Sequence, residues 1–152
     1  MSNIKYGIAD SEKDFRALQK VVKKVFDDDV RDLSKDLFYN SPKKNNNIYF
    51  YAYDKEKDKY VGILCFLETP LKYGDLRIKA AEYGIAGTLE EYSGKGINKK
   101  LTEMLIEKSR ELNYRLIIIE GIPYFYRRYG FNYAIPMNRD SVKLDETEFK
   151  NK

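Results

Sequence analysis

The chain has no histidine, a single cysteine and no apolar run approaching the length of a membrane span. Without histidine, Ser-His and Cys-His nucleophilic pairs are excluded, as is any His-ligated metal site. With only one cysteine, no metal centre is expected. General acid–base work then falls to Glu, Asp, Tyr or Lys. Cys65 excludes an internal disulfide framework, and its place in the apolar stretch Val61 to Leu67 reads as a buried core thiol. A spanning helix needs ~20 consecutive apolar residues, and Met1 to Lys5 lack the apolar centre of a secretory signal. A cytoplasmic protein with no membrane partner is the expectation. Excess charge of one sign is also missing: 28 basic and 24 acidic residues leave a net charge of +4. The short clusters Lys43-Lys44 and Lys99-Lys100 read as solvated surface, not as a nucleic-acid patch.

What is present suits one domain with a proper core: 152 residues, 43% of them hydrophobic, with 14 Tyr and 8 Phe. Ile4 to Ile8 is a short strand. Ser11 with Asp14 forms a capping-box-like start for an amphipathic helix over 12–27, whose apolar face is Phe15, Leu18, Val22, Val25 and Phe26. Asp27 to Asp29 is a polar break, Val30 to Phe38 a second helix, and Ser41 to Asn47 a loop. Asn47 to Tyr53 and Tyr60 to Glu68 flank a charged turn and form a hairpin. After a turn at Pro70 to Asp75, Leu76 to Leu89 reads as one long strand, weakened at Gly84 or Gly87. Gly96 to Leu112 is a helix, Arg115 to Glu120 a buried strand, Pro123 to Tyr129 a short helix capped by Gly130, and Phe131 to Met137 a last strand. The tail from Asp140 to Lys152 is charged and has no periodic apolar face. The succession is α+β or mixed α/β in a single domain over 1–152.

Between the long strand and the helix lies Glu-Glu-Tyr-Ser-Gly-Lys-Gly-Ile-Asn, residues 90–98. The first turn of a helix carries unpaired N–H groups and a positive dipole end, and glycine lets an anion approach the backbone. Ser93 to Asn98 therefore form a candidate pyrophosphate turn, with Lys95 adding charge. The P-loop Lys-Ser/Thr and the third glycine of the dinucleotide fingerprint are both missing.

The stretch from Ile85 to Lys108 resembles motif A of the GCN5-related N-acetyltransferases: a strand, then Arg/Gln-x-x-Gly-x-Gly/Ala, then a helix. Ser93-Gly94-Lys95-Gly96-Ile97-Asn98 falls on the signature, and Tyr126 with Gly130-Phe131 resembles the family's Tyr-x-x-x-Gly-Phe element. The resemblance implies a mostly antiparallel twisted sheet flanked by helices, with a V-shaped splay after the fourth strand. It implies acetyl-CoA as cofactor and a primary amine of a small molecule or protein as acceptor. It places pantetheine along Ala86, Gly87, Thr88 and Leu89, with Gly87 expected to mark a bulge. Two positions depart from the signature. Ser93 stands for Arg or Gln, and Asn98, bulkier than Gly or Ala, is expected to narrow the site. The segment from Tyr124 to Pro136 also resembles the first lobe of the longer acetyltransferases of the enhanced-intracellular-survival type.

Amine acetylation needs an amine stripped of its proton and a protonated leaving thiolate. By the resemblance, Tyr126 matches the general acid, with Tyr124 and Tyr129 as alternatives, and Glu82 matches the base. Strand alternation puts Glu82, Gly84, Ala86 and Thr88 on one face, where burial raises the Glu82 pKa. Glu120, ending the next strand, is a second candidate base, acting through water. Two other readings stay open on sequence: a non-catalytic acyl-CoA-binding domain and an interaction module. A monomer or a homodimer is compatible with either.

Overall fold

The computed structural model describes residues 3–134, in two compact units that divide after Gly121. The first unit runs β1 (Ile4–Ile8), α1 (Glu12–Val25), α2 (Asp28–Tyr39), β2 (Ile48–Asp54), β3 (Lys59–Glu68), β4 (Leu71–Tyr73), β5 (Leu76–Ile78), β6 (Ala80–Thr88), a 3₁₀ turn (Glu90–Tyr92), α3 (Ile97–Glu111) and β7 (Leu116–Ile118). The fold is a mixed α+β arrangement around a mostly antiparallel sheet. Among the described residues no helix is long and apolar enough to cross a membrane.

Helix starts follow local chemistry. Ser11 Oγ accepts the Asp14 N–H at 3.2 Å, and its hydroxyl donates to Asp14 Oδ2 at 2.7 Å, so two polar groups are satisfied reciprocally. The aspartates expected as a break instead begin α2. Asp27 accepts from the Val30 N–H, and Asp28 and Asp29 oppose the positive dipole end. The α3 start has neither device: Gly96 offers no side-chain cap, and its first turn has no acid.

The main sheet has the order β1-β2-β3-β6-β7, antiparallel except for the β6–β7 pair. One face carries α1, where Phe15, Leu18, Val21 and Val22 are buried and Phe15 packs against Phe38 of α2 and Tyr49 of β2. The other face carries α3, which buries Ile97, Leu101 and Leu105. Burying each such side chain contributes about 1.5–3 kcal/mol. Close approach of α3 depends on Gly62, because a Cβ there would stand 2.9 Å from Ile97 Cγ2. Cys65 is fully buried, and burial pushes its thiol pKa up, as expected of a core thiol.

Three further sequence expectations change. Leu76 to Leu89 is not one strand: Leu76–Ile78 turns back on Leu71–Tyr73 through Gly74 as a separate hairpin, exposing Tyr73 and Leu76, and the sheet strand begins only at Ala80. The bulge lies at Gly84-Ile85, not at Gly87: Tyr83 faces Phe66 and Ala86 faces Leu64, so β6 carries one extra residue opposite Cys65. Gly87 is instead a packing glycine, since a Cβ there would sit 2.8 Å from both Val25 and Phe26 at the end of α1. Last, 131–134 are not strand, and the rest of that expected strand, with the charged tail, lies outside the described residues.

Candidate functional site

The strand-to-helix turn is held at both ends and open in the middle. Leu89 is buried, and its N–H donates to the Val61 carbonyl at 2.9 Å. At the other end Ile97 is buried against the sheet. Between them Ser93, Gly94, Lys95 and Gly96 are exposed. Gly94 (φ 74°) and Gly96 (φ 76°) are left-handed, and a Cβ on either would meet no atom within 4 Å. Backbone conformation requires glycine here, and the space in front is clear of protein. The first intrahelical bond of α3 is Lys100 N–H to the Gly96 carbonyl, so the preceding N–H groups of this turn have no helical partner. With no cap and no acid, the turn keeps its partial positive charge for an external anion. Lys95 stays at the turn, its ammonium 4.6 Å from the Tyr92 ring centre.

Asn98, the departure expected to narrow the site, is a structural tether. Its Oδ1 accepts the Tyr83 phenol at 3.0 Å, and Tyr83 also shares a hydrogen bond with Thr102, tying the first turn of α3 to β6. Nothing in the sequence around Tyr83 or Thr102 marks them as partners. Only the bulge places Tyr83 on the α3 face, so no local pattern could have found the pair. Asn98→Gly is expected to cost between about 1 and 2 kcal/mol through the lost bond and the helix penalty of glycine, read as a lower urea midpoint, with no gain in cofactor affinity.

Beside the turn, β6 has a free edge. β7 pairs in parallel with Ala80, Ala81 and Glu82 only, so among the described residues no strand accompanies that edge from Gly84 to Thr88. The Thr88 hydroxyl is buried and makes no hydrogen bond among the described residues. These features fit a ligand with phosphates for the turn and amides for the edge.

Glu82 is half-buried, and burial, followed by the charge of Glu120, holds its pKa above the usual carboxylate range. The two candidate bases are thus electrostatically linked. The expectation that Glu82 shares a face with Ala86 and Thr88 fails. The extra residue at Gly84-Ile85 inverts the alternation, so Glu82 pairs with Leu67 on one face while Ala86 and Thr88 pair with Leu64 and Gly62 on the other.

The second unit holds a 3₁₀ helix (Phe125–Tyr129) that begins after Tyr124 in a left-handed conformation (φ 65°) and ends at Gly130 (φ 92°). Pro123 therefore lies just before the helix, not in its first turn. The Tyr124 N–H donates to the Tyr133 hydroxyl at 2.7 Å, and Arg127 lies over both rings. Tyr126 is half-buried, its ring edge-on to Phe125 and Phe131. Burial and neighbouring Tyr129 raise its pKa while Arg128 opposes them, so the phenol remains protonated at neutral pH.

An uncapped helix start behind two left-handed glycines, beside an open strand edge, is an arrangement suited to a phosphate-bearing ligand on a sheet-and-helix frame. A family profile described as Acetyltransferase (GNAT) domain matches residues 9–134. The chain belongs to that family. Its fold is similar to a predicted acetyltransferase from Clostridium acetobutylicum solved with acetyl-CoA, at 19% identity and a TM-score of 0.67, covering 95% of this chain and 97% of that one. It is also similar to a GNAT family N-acetyltransferase from Escherichia coli in complex with CoA, at 18% identity and a TM-score of 0.72, covering 87% and 70%. A Trypanosoma brucei acetyltransferase matches at 15% identity and a TM-score of 0.67, covering 91% and 99%. No curated protein matches the chain by sequence.

Proposed function

We propose that the chain transfers the acetyl group of acetyl-CoA to a primary amine of a small molecule or protein. The observation that carries this reading is the α3 start, with its exposed left-handed Gly94 and Gly96, no capping side chain and no acid in the first turn. The N–H groups of 94–98 would hold the pyrophosphate, with Lys95 adding charge. The backbone edge of β6 from Ala86 to Thr88 would hold the pantetheine amides. Acetyl-CoA, when bound, supplies a thioester whose acetyl carbon is open to attack by a neutral amine. In this reading Glu82 takes the proton that the acceptor ammonium must lose, and Tyr126 Oη holds the proton that the departing sulfur needs. Burial keeps each of these groups protonated to a higher pH than in water.

Calorimetry with acetyl-CoA tests the binding half. The wild-type chain is expected to bind one equivalent. Gly96→Ala forces a side chain into the left-handed region, a strain of about 1–2 kcal/mol, and is expected to weaken binding about 10-fold or more as the N–H groups turn away. Absence of binding at millimolar cofactor would remove the reading. Acetyl-CoA turnover over a panel of amines tests the transfer half, and binding without turnover on any amine would leave an acyl-CoA-binding domain.

A further inference from the structure

In the first unit, α1 packs chiefly over β3 and β6, and a groove lies between it and the β1–β2 side of the same sheet face. A cavity of about 740 Å³ lies there, and none of residues 93–98 lines it. Its volume falls within the range of small-molecule sites. The floor is aromatic. Tyr51, Tyr53 and Tyr60 are all half-buried, with Tyr60 edge-on to the other two at 5.1 and 5.2 Å. The Tyr51 ring lies over the β1 backbone because Gly7 has no side chain, and a Cβ there would stand 2.5 Å from the phenol oxygen. The walls are basic. Lys13, Lys20 and Lys24 recur along one face of α1, Lys5 faces them from β1, and Lys59 also lines the cavity.

Charge in the groove is unevenly satisfied. Five lysines meet three aspartates, and two of those acids are already engaged by the protein. Asp14 accepts from Ser11 and from the Tyr60 phenol, and Asp58 accepts from the Tyr53 phenol. These bonds also fix the tyrosine rings in place. Lys59 pairs with Glu91 at 2.8 Å, whereas Lys5, Lys13, Lys20 and Lys24 form no ion pair with any described residue. Hydrogen bonds from neutral hydroxyls leave the aspartates charged, but the lysines outnumber them by two, so the groove keeps a net positive charge that an anion offsets, and aromatic faces take a flat ring well.

We propose that this groove is a second ligand site, separate from the glycine turn, for an anion that carries an aromatic ring, of the nucleoside polyphosphate class. The lysines of α1 and β1 meet the phosphates, and the tyrosine floor takes the base. The probe is ATP, titrated by calorimetry at low ionic strength into the full chain and into its Gly96→Ala variant. One ATP per chain is expected, with the same affinity in both proteins. Lys13→Glu/Lys20→Glu is expected to weaken ATP about 10-fold or more and to leave coenzyme A affinity unchanged. Both lysines are exposed, so the thermal midpoint should stay put. Lys13→Gln/Lys20→Gln should give a smaller loss in the same direction. Inorganic tripolyphosphate, which lacks the base, should bind more weakly than ATP. No binding at millimolar ATP overturns the proposal. So does loss of ATP binding in Gly96→Ala, which would place ATP at the glycine turn, and so does an affinity indifferent to both lysine variants. Equal binding of tripolyphosphate overturns the role given to the tyrosines. The lysine comparison reads the groove whether or not coenzyme A binds.

Discussion

Glu82→Gln is expected to slow acetyl transfer at neutral pH about 100-fold, without loss of stability. The two effects have one cause. Burial and the Glu120 charge raise the Glu82 pKa in the folded chain. The folded state therefore binds this proton more tightly than the unfolded state does. The resulting stabilisation is complete below the ordinary carboxylate pKa of about 4.3 and is lost as pH rises through the higher folded value. Once ionised, Glu82 is a cost to the fold, and the amide removes that cost while keeping the shape. Thermal midpoints of the two proteins should coincide near pH 4 and separate in favour of the variant as pH rises. A variant less stable at pH 7 would mark Glu82 as a hydrogen-bonded structural carboxylate, and the base role would fall. The same linkage predicts a shift in the rate profile. The acidic limb of kcat/KM should lie above the usual carboxylate range, and Glu120→Gln should move it to lower pH by removing the neighbouring negative charge.

Tyr126→Phe is expected to lower kcat about 100-fold and to leave the affinity for acetyl-CoA unchanged. A thiolate with a pKa near ~8.5 leaves more readily when a proton arrives with the breaking bond, and phenylalanine has none to give. Folding should survive, because the ring keeps its edge contacts with Phe125 and Phe131 and loses only the hydroxyl. Since burial raises the phenol pKa, an alkaline limb due to Tyr126 should appear above the ordinary phenol value of about 10. Tyr124→Phe and Tyr129→Phe are the controls. An unchanged kcat in Tyr126→Phe, or a large loss in either control, assigns the proton elsewhere. Single-turnover measurement separates the chemical step from product release.

The features legible in the chain itself share a property: each depends on neighbours within a few residues. Ser11 with Asp14 starts α1, the hairpin of β2 and β3 brackets a charged turn, and the Gly94-x-Gly96 pair between strand and helix marks the turn into α3. Backbone conformation decides the last case, because only glycine is free in the left-handed region, and both glycines adopt it. The absence of histidine likewise restricted acid–base chemistry to carboxylates, phenols and lysines before any fold was known.

Tertiary structure decided what depends on register and on distant partners. One extra residue at Gly84-Ile85 reverses the facing of every position beyond it in β6, which separates Glu82 from Ala86 and Thr88 and sends Tyr83 to the α3 side. Gly87 takes its meaning from Val25 and Phe26, far away along the chain, and Asn98 from Tyr83. The lysine groove is the clearest case. Lys5, Lys13, Lys20 and Lys24 are scattered basic residues along the sequence, in a chain whose net charge of only +4 hides them. They become one basic wall because helical periodicity gathers three on one face and the antiparallel sheet sets a floor of tyrosines opposite. Composition records charges without their positions, and the potential of a site depends on where those charges meet.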